Sequence, residues 1–250
     1  MLEELVSRIR TNLVEVQNRI SASAQISGRD SREIRLVVVT KSQPVEILEA
    51  AILAGARLLG ENYPEETLPK ILALKDKYPV EWHMIGHLQG RKARIVAEHF
   101  QFFQSLDRIE IAEKLNQQLA PFGRRLPVLL EFNTGGETSK SGWDATREQN
   151  WEALIPDIRR IRSLPNLEIR GLMTMPPLLN PAEQVRPYFS RLARLRDFLA
   201  GELPDLDLCE LSMGTSADFE IGVQEGATLV RVGTAILGPR SYPSENQPLS

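Results

Sequence analysis

A lysine directly after a short, unbroken apolar run is placed for amine chemistry, and this chain has one: LVVVT (36–40) is followed by Lys41. Such a run reads as a strand buried on both faces. A lysine at its end sits at the edge of the interior, where desolvation favours the neutral amine and a Schiff base with a carbonyl compound. The competing reading is a strand-end lysine whose head simply reaches water. Two later loops offer a second chemistry. Ser212-Met213-Gly214-Thr215-Ser216 and Gly233-Thr234 are small and hydroxylic, and each precedes a helical segment. Backbone N–H groups and hydroxyls at such starts bind anions, although turn and cap chemistry alone also accounts for these residues. A reactive amine with an anion site points to a phosphorylated aldehyde or ketone. Two candidates fit: pyridoxal 5'-phosphate held on Lys41, or a sugar phosphate in a lysine-type aldolase. Arg231 bears on that choice. A guanidinium keeps its proton, so facing a pyridine nitrogen it leaves the ring a weak electron sink. An ion pair with Glu210 is the alternative for Arg231.

These residues need a scaffold. The runs 36–40, 57–59, 82–85, 102–105, 127–132, 167–172, 208–211 and 228–232 read as eight strands, with helical patterns between them. Leu2, Leu5, Ile9, Leu13, Val16 and Ile20 recur at helical spacing, and a loop is expected over 21–31. Ser42 and Pro44 open the next helix. Asp107 is expected to cap the helix of Ile111, Leu115 and Leu119, Asn180-Pro181 opens another, and Gly226 ends one. Eight strand–helix units in 250 residues match a single (β/α)8 TIM barrel. Only a short piece, 233–237, follows the last strand, so the N-terminal helix is expected to complete the outer ring. One domain over 1–238 and a disordered tail over 239–250 are expected. An open doubly wound sheet would leave the even alternation unexplained. The barrel mouth would then gather residues 60–63, 86–89, 133–136 and 173–175 around Lys41. His83, inside a strand, reads as a hydrogen-bonded core histidine.

Composition excludes several classes. With 42% hydrophobic and 25% charged residues the chain is an ordinary globular one. Its net charge of −3 argues against a nucleic-acid surface. No run approaches the roughly 18 apolar residues of a membrane span, and no export signal is legible. One cysteine, Cys209, excludes an internal disulfide, and three histidines give no metal-site spacing. A cytoplasmic protein without a metal is expected.

VVVTK (37–41), GENY (60–63), WHMIGHLQ (82–89), GLMTM (171–175), LSMGTSADFE and VRVGTAILG together resemble the pyridoxal phosphate homeostasis protein family (the YggS/PROSC group). The resemblance covers residues 1 to about 238 in order. It implies a barrel similar to the N-terminal domain of alanine racemase, with pyridoxal 5'-phosphate as cofactor. It also implies roles: Lys41 carries the cofactor as its aldimine, Asn62 lies beside the ring, and Met173 is an apolar wall. Ser212, the Met213–Gly214 backbone, Gly233 and Thr234 hold the phosphate, and Arg231 faces the pyridine nitrogen. The chain departs from the pattern at Thr215, where methionine is usual, at Gly90-Arg91, where asparagine precedes the lysine, and at Pro64-Glu65. Racemases of this fold cover the cofactor with an additional domain, for which this sequence leaves no room. The expectation is therefore a carrier that binds this small-molecule cofactor, limits free aldehyde and supplies or exchanges the cofactor, with transient apo-enzyme partners, monomeric and without robust catalysis. The alternative is a weak racemase or decarboxylase, for which His87 and Tyr63 are the nearest second bases.

Overall fold

The apolar run after residue 35 is the first staved strand of a closed ring. In this computed structural model, which describes residues 2–137 and 140–239, β1 (Arg35–Val39) is followed by β2 (Leu58–Glu61), β3 (Glu81–Met84), β4 (Phe102–Leu106) and β5 (Leu126–Asn133). A two-residue β6 (Trp143–Asp144), β7 (Leu167–Met173), β8 (Glu210–Thr215) and β9 (Leu229–Val232) complete the set. All pairings are parallel; β1 joins β9 on one side, and β4 joins β5 to close the ring. β6 extends only the C-terminal end of β5, through Phe132 and Asn133. The chain is a (β/α)8 barrel, as its strand periodicity leads one to expect.

Helices α1 (Leu2–Ile26), α2 (Val45–Ala54), α3 (Pro64–Leu74), α4 (Ala93–His99) and α5 (Ile109–Leu119) cover one half of the ring. Helices α6 (Ile155–Arg162), α7 (Arg186–Glu202), α8 (Phe219–Gln224) and α9 (Thr234–Leu237) cover the other. Outward residues such as Val38, Leu59, Met84, Phe103, Leu130 and Leu172 are buried beneath them. Each such side chain contributes about 1.5–3 kcal/mol by leaving water. α1 fills the gap in the ring. It presents Val6, Ile9, Leu13, Val16 and Ile20 inward. Its Arg10 donates to the carbonyl of Leu53 in α2, Asn12 to that of Ile236 in α9, and Arg19 pairs with Glu220 of α8.

Three expectations and one alternative reading need correction. α1 does not stop at Ile20, because Ser23 and Ala24 are small enough to pack buried and carry the helix to Ile26. β8 runs to Thr215, not Leu211; its polar residues look loop-like in sequence, but Ser212 finds partners inside the barrel. Asp107 caps no helix: Arg108 takes the N-cap position of α5, and the Asp107 carboxylate turns to His87 and Arg108. Glu210 pairs with Arg35 at the barrel floor, leaving Arg231 to the interior. The tail call of 239–250 falls, beyond Pro239, outside the described residues.

The barrel interior has two layers. Val37, Phe102, Leu129, Met173 and Leu229 form an apolar cluster separate from the outer core. A polar chain runs through the interior beside it. Arg231 donates to Ser212 Oγ, Ser212 Oγ donates to Gln104 Oε1 at 2.7 Å, and Gln104 Nε2 lies 2.7 Å from His83 Nδ1. His83 also stacks on Phe102, with ring centroids 5.0 Å apart. Burial pushes its pKa down, consistent with a neutral ring that accepts at Nδ1. The hydrogen-bonded core histidine expected from sequence is thus present.

Candidate functional site at the barrel mouth

Each element contributes to the mouth through the residue that its C-terminal end leaves there. A cleft of about 450 Å³ opens between Lys41 after β1, Asn62 after β2 and His87 after β3 on one side. Met175, Thr215, Ser216, Arg231, Gly233 and Thr234 border it on the other. That volume suits a small ligand. A larger groove of about 770 Å³ lies between α1 and α2, but its charged residues Glu4, Arg8, Glu46 and Glu49 converge on no common point of chemistry.

Lys41 is half-buried, and the backbone leading to it is fixed from below. Thr40 Oγ1 donates to Glu61 Oε1 at 2.8 Å; Glu61 also accepts from Lys70 Nζ at 3.0 Å and Thr67 Oγ1 at 3.3 Å. Burial pushes the Glu61 pKa up, and Lys70 opposes it. The turn after Lys41 places Ser42 at φ 60, a left-handed conformation that costs a non-glycine residue energy and fixes the lysine's exit angle. Glu61 is read in the sequence only as part of GENY; its role as an anchor needs the fold, because its partners come from two separate places, the end of β1 and α3.

Arg231 is the most unusual group in the site. It is 3% exposed, donates to Ser212 Oγ, to the Thr174 carbonyl at 2.9 Å and toward Met175 Sδ, and forms no salt bridge among the described residues. Burial pushes its pKa down to about 10, with Asp218 and Glu131 opposing at a distance. A buried cation held only by neutral groups is costly, so its presence calls for a functional reason. Asn62 gives a second sign: its Oδ1 is buried without a hydrogen-bond partner among the described residues. Gly86 lets that segment close in, since a Cβ there would lie 2.7 Å from the Asn62 backbone.

The structure thus brings Lys41, Asn62, Arg231, Gly233 and Thr234 around one cleft, with Gly214 at a smaller adjoining cavity of about 130 Å³. It does not bring the other three. Met173 lies in the apolar cluster below, and Met175 borders the cleft. Ser212 supports Arg231 from inside the barrel; Met213, expected to act through its backbone, borders neither cavity and has its side chain buried in the outer core. Ser216, at the end of the same segment, borders the cleft and accepts from Gly233 N at 3.2 Å. The alternation of sides along β8 decides this: residues two apart share a face, and the strand is longer than its apolar run. Tyr63 is 46% exposed at the start of α3, away from the cleft lining. Among the described residues, no group of three or more potential ligands could hold a metal ion.

The sequence signature of the alanine racemase N-terminal domain matches residues 7–241. A Vibrio alginolyticus pyridoxal phosphate homeostasis protein is 38% identical over 240 residues, covering 95% of this chain and all of the relative. The chain belongs to the pyridoxal phosphate homeostasis protein family. The structure of PipY from Synechococcus elongatus with PLP bound superposes with a TM-score of 0.74 at 32% identity, over 88% of this chain and 100% of PipY. An alanine racemase from Bartonella henselae gives a TM-score of 0.66 at 17% identity, over 98% of this chain and 61% of the racemase, a likeness of fold alone. No helix of the described residues is long and apolar enough to cross a membrane.

Glu131, near the end of β5, yields a prediction about this family member's pH behaviour. Burial first, then the Asp107 charge, push its pKa up from 4.5 to about 7, against Arg231 and Lys140. A carboxyl with a raised folded-state pKa binds its proton better when folded. Its contribution therefore favours folding at low pH and is lost as pH rises from 4.5 through about 7. That gap corresponds to about 3 kcal/mol. Glu131→Gln should remove this fall: urea unfolding at about pH 5 and about pH 8 should show the two proteins' stabilities diverging by that amount. Parallel curves would mean that Glu131 keeps its charge throughout.

Proposed function

We propose that this protein binds pyridoxal 5'-phosphate at the barrel mouth, holds it on Lys41 as a Schiff base, and serves as a carrier that limits free aldehyde and supplies cofactor to acceptors. The observation that carries this reading is Arg231, a buried guanidinium without a carboxylate partner among the described residues, bordering the same cleft as Lys41. When bound, the cofactor supplies a reactive aldehyde and an electron-withdrawing ring. Lys41 is the residue to hold the aldehyde. Asn62 offers its orphaned Oδ1 beside the ring, and Met175 gives an apolar wall. Gly233, Thr234 and Ser216 offer backbone N–H and hydroxyl groups to the phosphate. Arg231, bound to Ser212 and Thr174, presents a fixed positive charge to the pyridine nitrogen and keeps it unprotonated. That arrangement weakens the ring as an electron sink and favours carriage over carbanion chemistry. The names of the relatives support the same reading. We place the protein in the cytoplasm as a monomer whose contacts with apo-enzymes are transient.

The test is a visible spectrum of the protein mixed with pyridoxal 5'-phosphate, before and after borohydride, with peptide mapping. A yellow band that borohydride abolishes, and a label on Lys41, are expected. A colourless mixture overturns the reading. In a racemase assay with saturating cofactor, turnover is expected to stay below the usual enzymatic range of roughly 1–10³ s⁻¹; a rate inside it would make the protein an enzyme.

A further inference from the structure

His87 follows β3, borders the cleft opposite Arg231, and has half of its side chain exposed. Its Nδ1 lies 2.8 Å from Oδ2 of Asp107, whose side chain is only 4% exposed. Asp107 is held in turn. Arg108 reaches both carboxylate oxygens, at 2.6 and 2.8 Å, and donates from its other nitrogen to the Leu88 carbonyl at 2.9 Å. A buried carboxylate at Nδ1 fixes the ring as the tautomer with its proton on Nδ1 and its lone pair on Nε2. The Arg108 nitrogen is nearly equidistant from the two ring nitrogens, 3.5 and 3.4 Å, so it lies off the lone-pair axis of either. Ser141 Oγ is 3.2 Å from Nδ1, the carboxylate's own side, so the three groups do not form a nucleophilic triad. What remains is an oriented base at the entrance to the cleft that holds Lys41.

We propose that His87, oriented by Asp107, accepts a proton from a small primary amine of amino-acid size that displaces the cargo from Lys41. The inference rests on the carrier reading given above. The incoming ammonium gives one proton to Nε2, and its freed nitrogen bonds to the carbon joined to Lys41. The bond from that carbon to Nζ then breaks. Nζ carries one proton in the protonated Schiff base; a second proton of the amine and the one held on His87 join it there, and Lys41 leaves as an ammonium. Charge and protons balance without an oxidant or reductant. The cleft volume of about 450 Å³ suits such an amine beside the cofactor. The charged groups facing His87 are Asp107 and Arg108 from the β4–α5 junction; Lys41 borders the same cleft, and Glu131 lies near enough to Asp107 and Lys140 to feel both charges.

The experiment follows loss of the protein-bound absorbance band after rapid mixing of cofactor-loaded protein with glycine or with methoxyamine. Glycine is an ammonium at neutral pH and methoxyamine is already neutral. In His87→Gln the glycine rate should fall about tenfold or more, with Asp107→Asn falling less, and the methoxyamine rate should stay within about twofold. The glycine deficit should close as pH rises and the amine loses its own proton. Equal losses for both nucleophiles, or none for glycine, would overturn the proposal while leaving the carrier reading intact. Failure of the unsubstituted protein to form the band would overturn both.

Discussion

Lys41→Ala should lose the yellow band on mixing with pyridoxal 5'-phosphate, and borohydride should then fix no label on the protein. The expectation follows from the position of the side chain. Lys41 borders the cleft, and the turn that presents it is anchored through Thr40 to a carboxylate, Glu61, with three donors around it. No other described lysine borders that cleft; Lys140 lies at the adjoining smaller cavity. The loops that end β8 and β9 and Arg231 are untouched by the substitution, so the variant should still bind the cofactor without a covalent link, with affinity lower by about tenfold or more. Lys41→Arg separates charge from chemistry: it restores a cation but not an amine that can form the link, and it should behave like the alanine variant. Labelled protein after borohydride in either variant would move the attachment to another lysine and refute the assignment.

Gly171→Ala should be the most damaging small substitution in the barrel. Gly171 pairs with Glu210 across β7 and β8, with φ 154. A methyl group there would stand 1.9 Å from the Glu210 carbonyl oxygen and 2.6 Å from its carbon. Both neighbours are backbone, so no side-chain rotation relieves the contact. On the other side of β7 the register with β5 skips Arg170, which puts the glycine at a bulge. Relief requires β8 to move, yet Glu210 is tied to Arg35 at 2.6 Å and to Thr228. The expected cost is about 4 kcal/mol or more, in the range reserved for a broken backbone arrangement. Urea unfolding followed by circular dichroism measures it. A loss below about 1 kcal/mol would show that the sheet yields at this point. Because β8 carries Ser212, the support of Arg231, any folded remainder should also bind cofactor more weakly.

The Gly171 case shows where legibility in the sequence ends. GLMTM is visible as a motif, but nothing in the five letters says that its glycine faces a neighbouring carbonyl. That contact joins residues 39 positions apart. By contrast, the sequence by itself determined the barrel. Strand burial and helix periodicity are local properties, repeated eight times, and local patterns survive in one dimension. It also determined that Lys41, Asn62, Arg231, Gly233 and Thr234 share one end of that barrel, because a residue at the C-terminal end of a barrel strand has only one place to be. What the tertiary structure alone decided is direction and partnership. It turned Ser212 inward to Arg231 and brought Ser216 to the cleft. It sank Met173 below Met175 and gave Asp107 to His87 instead of to a helix end. Each of these depends on which face of a strand a residue occupies or on a partner from a distant element. A one-residue shift in a strand's end reverses the first, and only the closed ring supplies the second.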